Sequence, residues 1–191
     1  MWRKRPVMTR HAAPPRRAGQ ENAPPDGSRT HILVLFANDS HGVLDRIVGL
    51  LRRRRSNMQT FAIGRSELPN VVRITVVMHD SEVGVEQLME QLRKIVDVRQ
   101  VVNLSSKQAV ARELALIKVN STTAHQNEII ELGHLFGAHA LDVDQETVTL
   151  EVTGSADKIE KLVTLLQTYG IREVARTGCV AMTRGTTEIN E

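Results

Sequence analysis

Residues able to do chemistry are thinly spread along this 191-residue chain, and their spacing excludes most of what they could do. Asp39, Ser40 and His41 are the three residue types of a hydrolytic triad, standing side by side. Neighbours in one tight loop cannot aim at one another as nucleophile, base and orienting acid. Asp39 and Ser40 read instead as helix-capping residues. Gly133-His134-Leu135-Phe136-Gly137 lacks the third glycine of a phosphate-binding loop and stands at a helix end, not after a strand. The seven histidines form no HExxH motif, and His125, His134 and His139 read as surface imidazoles. Glu128 and Glu131 read as a solvated helix face. Cys179 is the single cysteine, has no His near it in sequence and reads as a small apolar strand residue. The run Arg52–Arg55 suits either a phosphate or acidic partner, or simply a helix C-terminus whose dipole favours cations. No catalytic residue and no metal site emerges.

What remains is a property of the backbone. Ile32, Val34 and Phe36 share one face of a strand and Leu33 and Leu35 the other, so both faces have something to bury. The strand breaks at Asn38-Asp39-Ser40-His41-Gly42, a cluster of turn formers, and a helix follows with Val43, Leu44, Ile47, Val48 and Leu51 at helical spacing. A strand that runs through a short polar loop into a helix N-terminus offers free N–H groups and a positive dipole end to a small anion such as a carboxylate. A small ligand is expected there.

The surrounding pattern says what positions this junction. Strands are expected at about 31–37, 57–64, 71–78 and 98–104, with helices at about 42–54 and after Asp80 or Ser81. The second helix carries Val85, Leu88, Met89, Leu92, Ile95 and Val96 as one stripe. The order β-α-β-β-α-β is a ferredoxin-like unit, with both helices on one face of a four-stranded antiparallel sheet. Residues 105–112 read as a polar linker, after which the pattern repeats. Strands follow at 114–119, 140–143, 147–153 and 171–175, with helices at 124–136 and after Ser155, the latter stopped by Gly170. Val180 and Met182 could add a short edge strand. The fold class is α+β, two tandem ferredoxin-like βαββαβ domains.

Composition narrows the function. Hydrophobic content of 41% with only 3% aromatics implies a core of Val, Leu and Ile. No run is long enough to span a bilayer, and one cysteine suits a reducing, cytoplasmic compartment. The formal net charge of +3 is misleading. Residues 1–29 hold seven basic and two acidic groups of the chain's 25 and 22, which leaves 18 basic and 20 acidic residues beyond them, a net of −2. The same stretch holds five of six prolines and reads as a disordered tail, with neither the apolar core of a secretory signal nor the serines of a transit peptide; it reads as an upstream extension, with Met8 as an alternative start. The folded part thus gains no support as a nucleic-acid binder. Sheets of this kind that bind RNA stack bases on aromatics, and Val71–Met78 has none, while Phe36 and Phe61 are single and read as core.

Several segments are specific together. Asp39–Gly64, DSHGVLDRIVGLLRRRRSNMQTFAIG, is similar to the start of the regulatory small subunit of acetolactate (acetohydroxyacid) synthase. So, in the family's order, are Arg73-Ile74-Thr75, Gln91–Val98, Arg112–Val119, Glu151-Val152-Thr153-Gly154 and Ala175-Arg176-Thr177-Gly178. The resemblance implies a tail at 1–30, an ACT domain at 31–106, a related domain at 107–185 and a short tail at 186–191. It implies no catalysis and no cofactor in this chain. Thiamine diphosphate, magnesium and FAD belong to the catalytic large subunit, which condenses two pyruvates, or pyruvate and 2-oxobutyrate, towards valine, leucine and isoleucine. The small subunit raises that activity and confers inhibition by a branched-chain amino acid, typically valine. The effector would sit at the seam of an ACT-domain homodimer, contacting Asp39, His41, Gly42 and Val43 of one chain and Asn57 and Met58 of its neighbour. Arg55 and Ser56 stand where the family has glycine and an aromatic residue, which puts a cation beside that pocket. The alternative implied by the same domain is an amino-acid sensor detached from this enzyme.

Overall fold

A computed structural model describes residues 28–53, 57–104 and 109–185. The first unit consists of β1 (Ser28–Asn38), α1 (Val43–Arg53), β2 (Asn57–Arg65), β3 (Val71–Ser81), α2 (Glu82–Arg93) and β4 (Val98–Leu104). Its strands pair antiparallel in the order β2-β3-β1-β4. Alternation along β1 and β3 sends Leu33, Leu35, Ala37, Ile74, Val76 and Met78 to one face, where they meet Val43, Ile47 and Leu51 of α1 and Val85, Leu88 and Leu92 of α2. Ser81 starts α2 by accepting the Gly84 N–H at 3.1 Å.

The second unit repeats the plan with β5 (Ala109–Asn120), α3 (Gln126–Leu135), β6 (His139–Val143), β7 (Thr147–Gly154), α4 (Ala156–Leu166) and β8 (Ile171–Arg176), in the order β6-β7-β5-β8. Ala115, Ile117, Val119, Val148, Leu150 and Val152 pack under Ile129 of α3 and Ile159, Leu162 and Leu166 of α4. Ser155 caps α4 through the Lys158 N–H, and a single 3-10 turn after α4 ends at Gly170, φ +85°.

The two units share more than a linker. β5 is one twelve-residue strand whose far part, from Glu113 on, is central to the second sheet. Its near part, Ala109–Arg112, pairs with β9 (Val180–Thr183). This two-stranded ribbon lies against the helix-free face of the first sheet: Ala109, Cys179 and Ala181 pack on Val34, Phe36, Val71, Val77 and Leu104. Glu113, 6% exposed, marks the crossover and is paired with Arg176 at 3.1 Å; Arg176 also reaches Glu160 at 3.0 Å.

Several expectations change. β1 begins at Ser28, inside the stretch read as tail, because pairing with β3 continues to Ser81. Ala109–Arg112 is strand, not linker, because β9 supplies its pairing partner. Val96 is 91% exposed and leaves the α2 stripe, since the helix ends at Arg93 and the chain turns before β4. β9 forms as expected, but within it Ala181 is buried, with Cys179 buried just before it, while Val180 and Met182 face outward. Residues 1–27, 54–56, 105–108 and 186–191, hence Arg54, Arg55, Ser56 and most of the expected tails, lie outside the described residues.

Register supplies a paired test. Ile63 and Ile74 are partners across β2 and β3, with exposures of 46% and 0%. Ile74→Ala should cost about 3 kcal/mol in urea unfolding, and Ile63→Ala no more than about 1 kcal/mol. A second test concerns the ribbon. Burial, then the nearby Glu113 charge, raises the Cys179 thiol pKa. A thiol reagent should therefore label Cys179 slowly in the native protein and at the free-thiol rate in urea.

Candidate functional site

The β1–α1 junction is tied down on both sides. The Asn38 N–H donates to Asp97 O at 2.8 Å, and Arg99 Nε donates to Asn38 Oδ1 at 2.6 Å. Asp39 N–H donates to Asn70 O at 2.9 Å, and Asn70 holds the left-handed conformation, φ +59°, that this turn requires. Ser40 N–H turns back to Asn38 O at 2.9 Å. Gly42 then adopts φ +79°, and its carbonyl receives the Arg46 N–H at 3.1 Å and Arg46 Nε at 3.3 Å. Arg46 is in turn held by Asp97 at 2.6 Å.

This arrangement leaves part of the helix end unspent. The Val43 N–H reaches Ser40 O at a long 3.3 Å, and its side chain is buried in the core. Among the described residues the amides of His41, Gly42 and Leu44 meet no backbone acceptor. A Cβ built on Gly42 meets nothing within 4 Å. The loop therefore presents N–H groups and the positive end of α1 to open space, an arrangement suited to a carboxylate. Positive φ is what makes glycine appropriate at 42, and the open space leaves room for a ligand to approach the backbone.

Asp39 and Ser40 do not cap α1 with their side chains. Asp39 is exposed and lines a cleft of about 430 Å³ with Arg65, Ser66, Glu67 and Pro69, where its carboxylate could face a cationic group. Glu67 in the same cleft has its pKa lowered by its own backbone amide and by the Ser66 hydroxyl. Ser40 Oγ is buried without a hydrogen-bond partner. His41 is exposed, and no bond joins it to Asp39 or Ser40, so the three residues are not a triad.

Asn57 and Met58 lie at the opposite end of the sheet. They are in register with His79 and Met78, just before a bulge in β2, whereas Asn38 is in register with Val71. From His31, opposite Met78, to Asn38 is seven residues of strand, about 24 Å at ~3.4 Å per residue. One chain alone therefore brings Asp39, His41, Gly42 and Val43 together and does not bring Asn57 and Met58 to them.

The histidines and carboxylates of α3 and its flanks lie at the surface. His125 meets the Glu128 carboxylate at 3.1 Å, and the Tyr169 hydroxyl and then His125 lower the pKa of Glu128. His134 and His139 are exposed. Among the described residues no group of three or more His, Cys, Asp or Glu could hold a metal ion, and no helix is long and apolar enough to cross a membrane. Arg52 and Arg53 are exposed in the last turn of α1. Reasoning from sequence missed Asn70, Asp97 and Arg99 as the residues that hold the loop. Leu68-Pro69-Asn70 signalled a turn, yet nothing in it signalled that the turn would grip a loop some thirty residues earlier.

Comparison with known proteins agrees with the geometry. The family model for the small subunit of acetolactate synthase matches residues 112–185, and that for the acetohydroxyacid synthase small subunit-like ACT domain matches 33–100. The acetolactate synthase small subunit of Mycolicibacterium smegmatis is 39% identical over 160 residues, covering 84% of this chain and 94% of the relative. That of Bacillus subtilis is 43% identical over 156 residues, covering 81% and 91%. The crystal structure of the acetolactate synthase small subunit from Thermotoga maritima superposes with a TM-score of 0.77 at 32% identity, covering 83% of this chain and 99% of that one. Two ferredoxin-like units in tandem, matched over nearly the whole length of these relatives, mean that the chain belongs to the acetolactate synthase small-subunit family, with an ACT domain as its first unit.

Proposed function

We propose that this chain is the non-catalytic regulatory subunit of an acetolactate synthase, which activates the catalytic large subunit and makes it sensitive to a branched-chain amino acid, valine foremost. The observation that carries the reading is the β1–α1 junction of the ACT domain, with untied amides, a positive-φ glycine and open space around it. A branched-chain amino acid needs an anion site for its carboxylate, an acceptor for its ammonium and an apolar wall. The junction amides suit the first, and Asp39, on the rim, suits the second. Thiamine diphosphate, magnesium and FAD fall to the catalytic partner in this reading, and the pair works in the cytoplasm.

The wall and the missing residues come from a second copy. Leu44 and Val48 on α1 and Met58 and Ile63 on the edge strand β2 are large apolar residues left exposed. Two β2 edges paired antiparallel about a two-fold would cover them. The same pairing runs Asn57 of one chain to the Arg65 end of the other, about three strand spacings, ~14 Å, from the second chain's Asp39–Gly42 loop and on its side of the sheet. Ligand binding and dimer packing then share one free energy, and the catalytic subunit responds to the difference.

Mixing the purified chain with its catalytic subunit should raise turnover, and valine, leucine or isoleucine should then lower it; no complex and no change of rate would remove the reading. Gly42→Asp should abolish the amino-acid response while leaving folding and activation intact. Asp tolerates left-handed backbone at a cost of about 1 kcal/mol, and its carboxylate would occupy and repel at the anion site. Val48→Asp should shift the dimer towards monomer in sedimentation and weaken the response in parallel.

A further inference from the structure

Two segments that carry the family resemblance, Arg73-Ile74-Thr75 and Ala175-Arg176-Thr177-Gly178, have no part in the loop–helix junction. Both lie where the two domains meet. Arg176 pairs with the buried Glu113, and the Leu114 N–H donates to Thr177 Oγ1 at 3.2 Å, which locks β8 to β5 at the crossover. Gly178 passes under β2, where a Cβ would stand 3.5 Å from Thr60 Cβ, and the Cys179 N–H reaches Thr60 Oγ1 at 3.4 Å. β9 then crosses the sheet.

Arg73 reaches that strand from the same face of the sheet. It lies in register with Phe36, on the helix-free face of the ACT sheet. Its guanidinium sits 4.9 Å from the Phe36 ring centroid, and Nη2 donates to Ala181 O at 2.7 Å. Ala181 pairs with Ala111 of β5, and Arg184 Nε donates to Ala109 O at 3.1 Å, so the carbonyl that Arg73 holds belongs to a braced ribbon. A side chain whose only task was to cover the sheet would be apolar, like its neighbours Val71 and Val77. A half-buried guanidinium loses hydration and needs a compensating bond. What it supplies is a charge-assisted bond from one domain to the backbone of the other. It is also three residues from Asn70, whose carbonyl holds the Asp39 N–H of the effector loop.

We infer that Arg73 is a positioning residue for the regulatory response: it fixes the β5–β9 ribbon beneath β3, so that a change at the Asp39–Gly42 loop is carried to the second domain. The inference rests on the effector reading proposed above. A ligand that pulls on the loop shifts the start of β3. Arg73 converts that shift into movement of β9 and, through its pairing, of β5, the central strand of the second sheet. Without the guanidinium the two domains remain apposed through Val34, Phe36, Ala109 and Cys179, but the backbone-to-side-chain link is lost.

The test compares the full chain, Arg73→Met and Arg73→Lys, each alone and reconstituted with the catalytic subunit. Arg73→Met should bind valine by calorimetry with an affinity within about threefold of the unmodified chain, yet inhibition should weaken by at least about tenfold. Valine should slow hydrogen exchange at Val180–Thr183 in the unmodified chain and leave it unchanged in Arg73→Met. Arg73→Lys, which can still donate to Ala181 O, should restore part of both responses; if it behaves like Met while retaining its fold, the bond to Ala181 is not what matters and the inference fails. Equal inhibition and equal exchange in Arg73→Met and the unmodified chain overturn it outright. An unmodified chain that responds to none of the three amino acids overturns the effector reading, and this inference with it.

Discussion

The apolar underside of the ACT sheet must be covered, and the cover comes from the other domain. In many ferredoxin-like sheets one face meets the helices and the other meets water. Here β1 carries apolar residues on both faces: Leu33 and Leu35 towards the helices, Val34 and Phe36 away from them. The second set is dry only because Ala109, Cys179 and Ala181 lie over it. Burying several such side chains is worth several kcal/mol at ~25 cal/mol per Å², a large share of the net stability of a domain this size. The ribbon is held to the first domain by hydrophobic burial and the Arg73 bond, and it runs into the second as the unbroken strand β5. That continuity makes the domains a single mechanical object.

The small residues of the ribbon follow from this role. A strand laid flat on a sheet that already presents Phe36 and the Arg73 guanidinium has little room, and alanines and a cysteine fit where leucines would not. Its outward residues, Val180 and Met182, are larger and exposed. The effector loop obeys a different economy. The amides of His41, Gly42 and Leu44 stay free because the chain around them is fixed mainly by bonds from elsewhere, from Asn70, Asp97 and Arg99, with only the Ser40–Asn38 and Val43–Ser40 turns of its own. A loop with free donors and a firm frame is preorganised for an anion.

Much of this was legible in the sequence. Helical stripes such as Val43-Ile47-Leu51 and Val85-Leu88-Leu92, strand alternation and the Ser81 and Ser155 caps gave the order of elements, because each of these signals is local. The loop–helix junction was visible for the same reason. What escaped was non-local. Nothing in Ser105–Arg112 shows that its last four residues find a strand partner seventy residues later. Nothing in Asp39 or Ser40 shows that Gly42 would start the helix, leaving the Ser40 hydroxyl buried without a partner. The pair of buried Glu113 with the exposed Arg176 joins two segments sixty-three residues apart, and only the fold relates them. Asn57 and Met58 are the inverse case, near the junction in sequence and distant from it along the sheet, because a strand carries its two ends apart.

The shared strand β5 also bears on how the molecule can be taken apart. A fragment ending before Ala109 would keep the hydrophobic core between helices and sheet intact, yet bare Val34, Phe36, Val71 and Val77 as a greasy plate. A fragment beginning there would retain its own core but carry the whole two-stranded ribbon with Ala109, Cys179 and Ala181 uncovered. Dissection by proteases or by truncated clones would thus yield pieces prone to precipitate, for want of a lid that each normally lends the other.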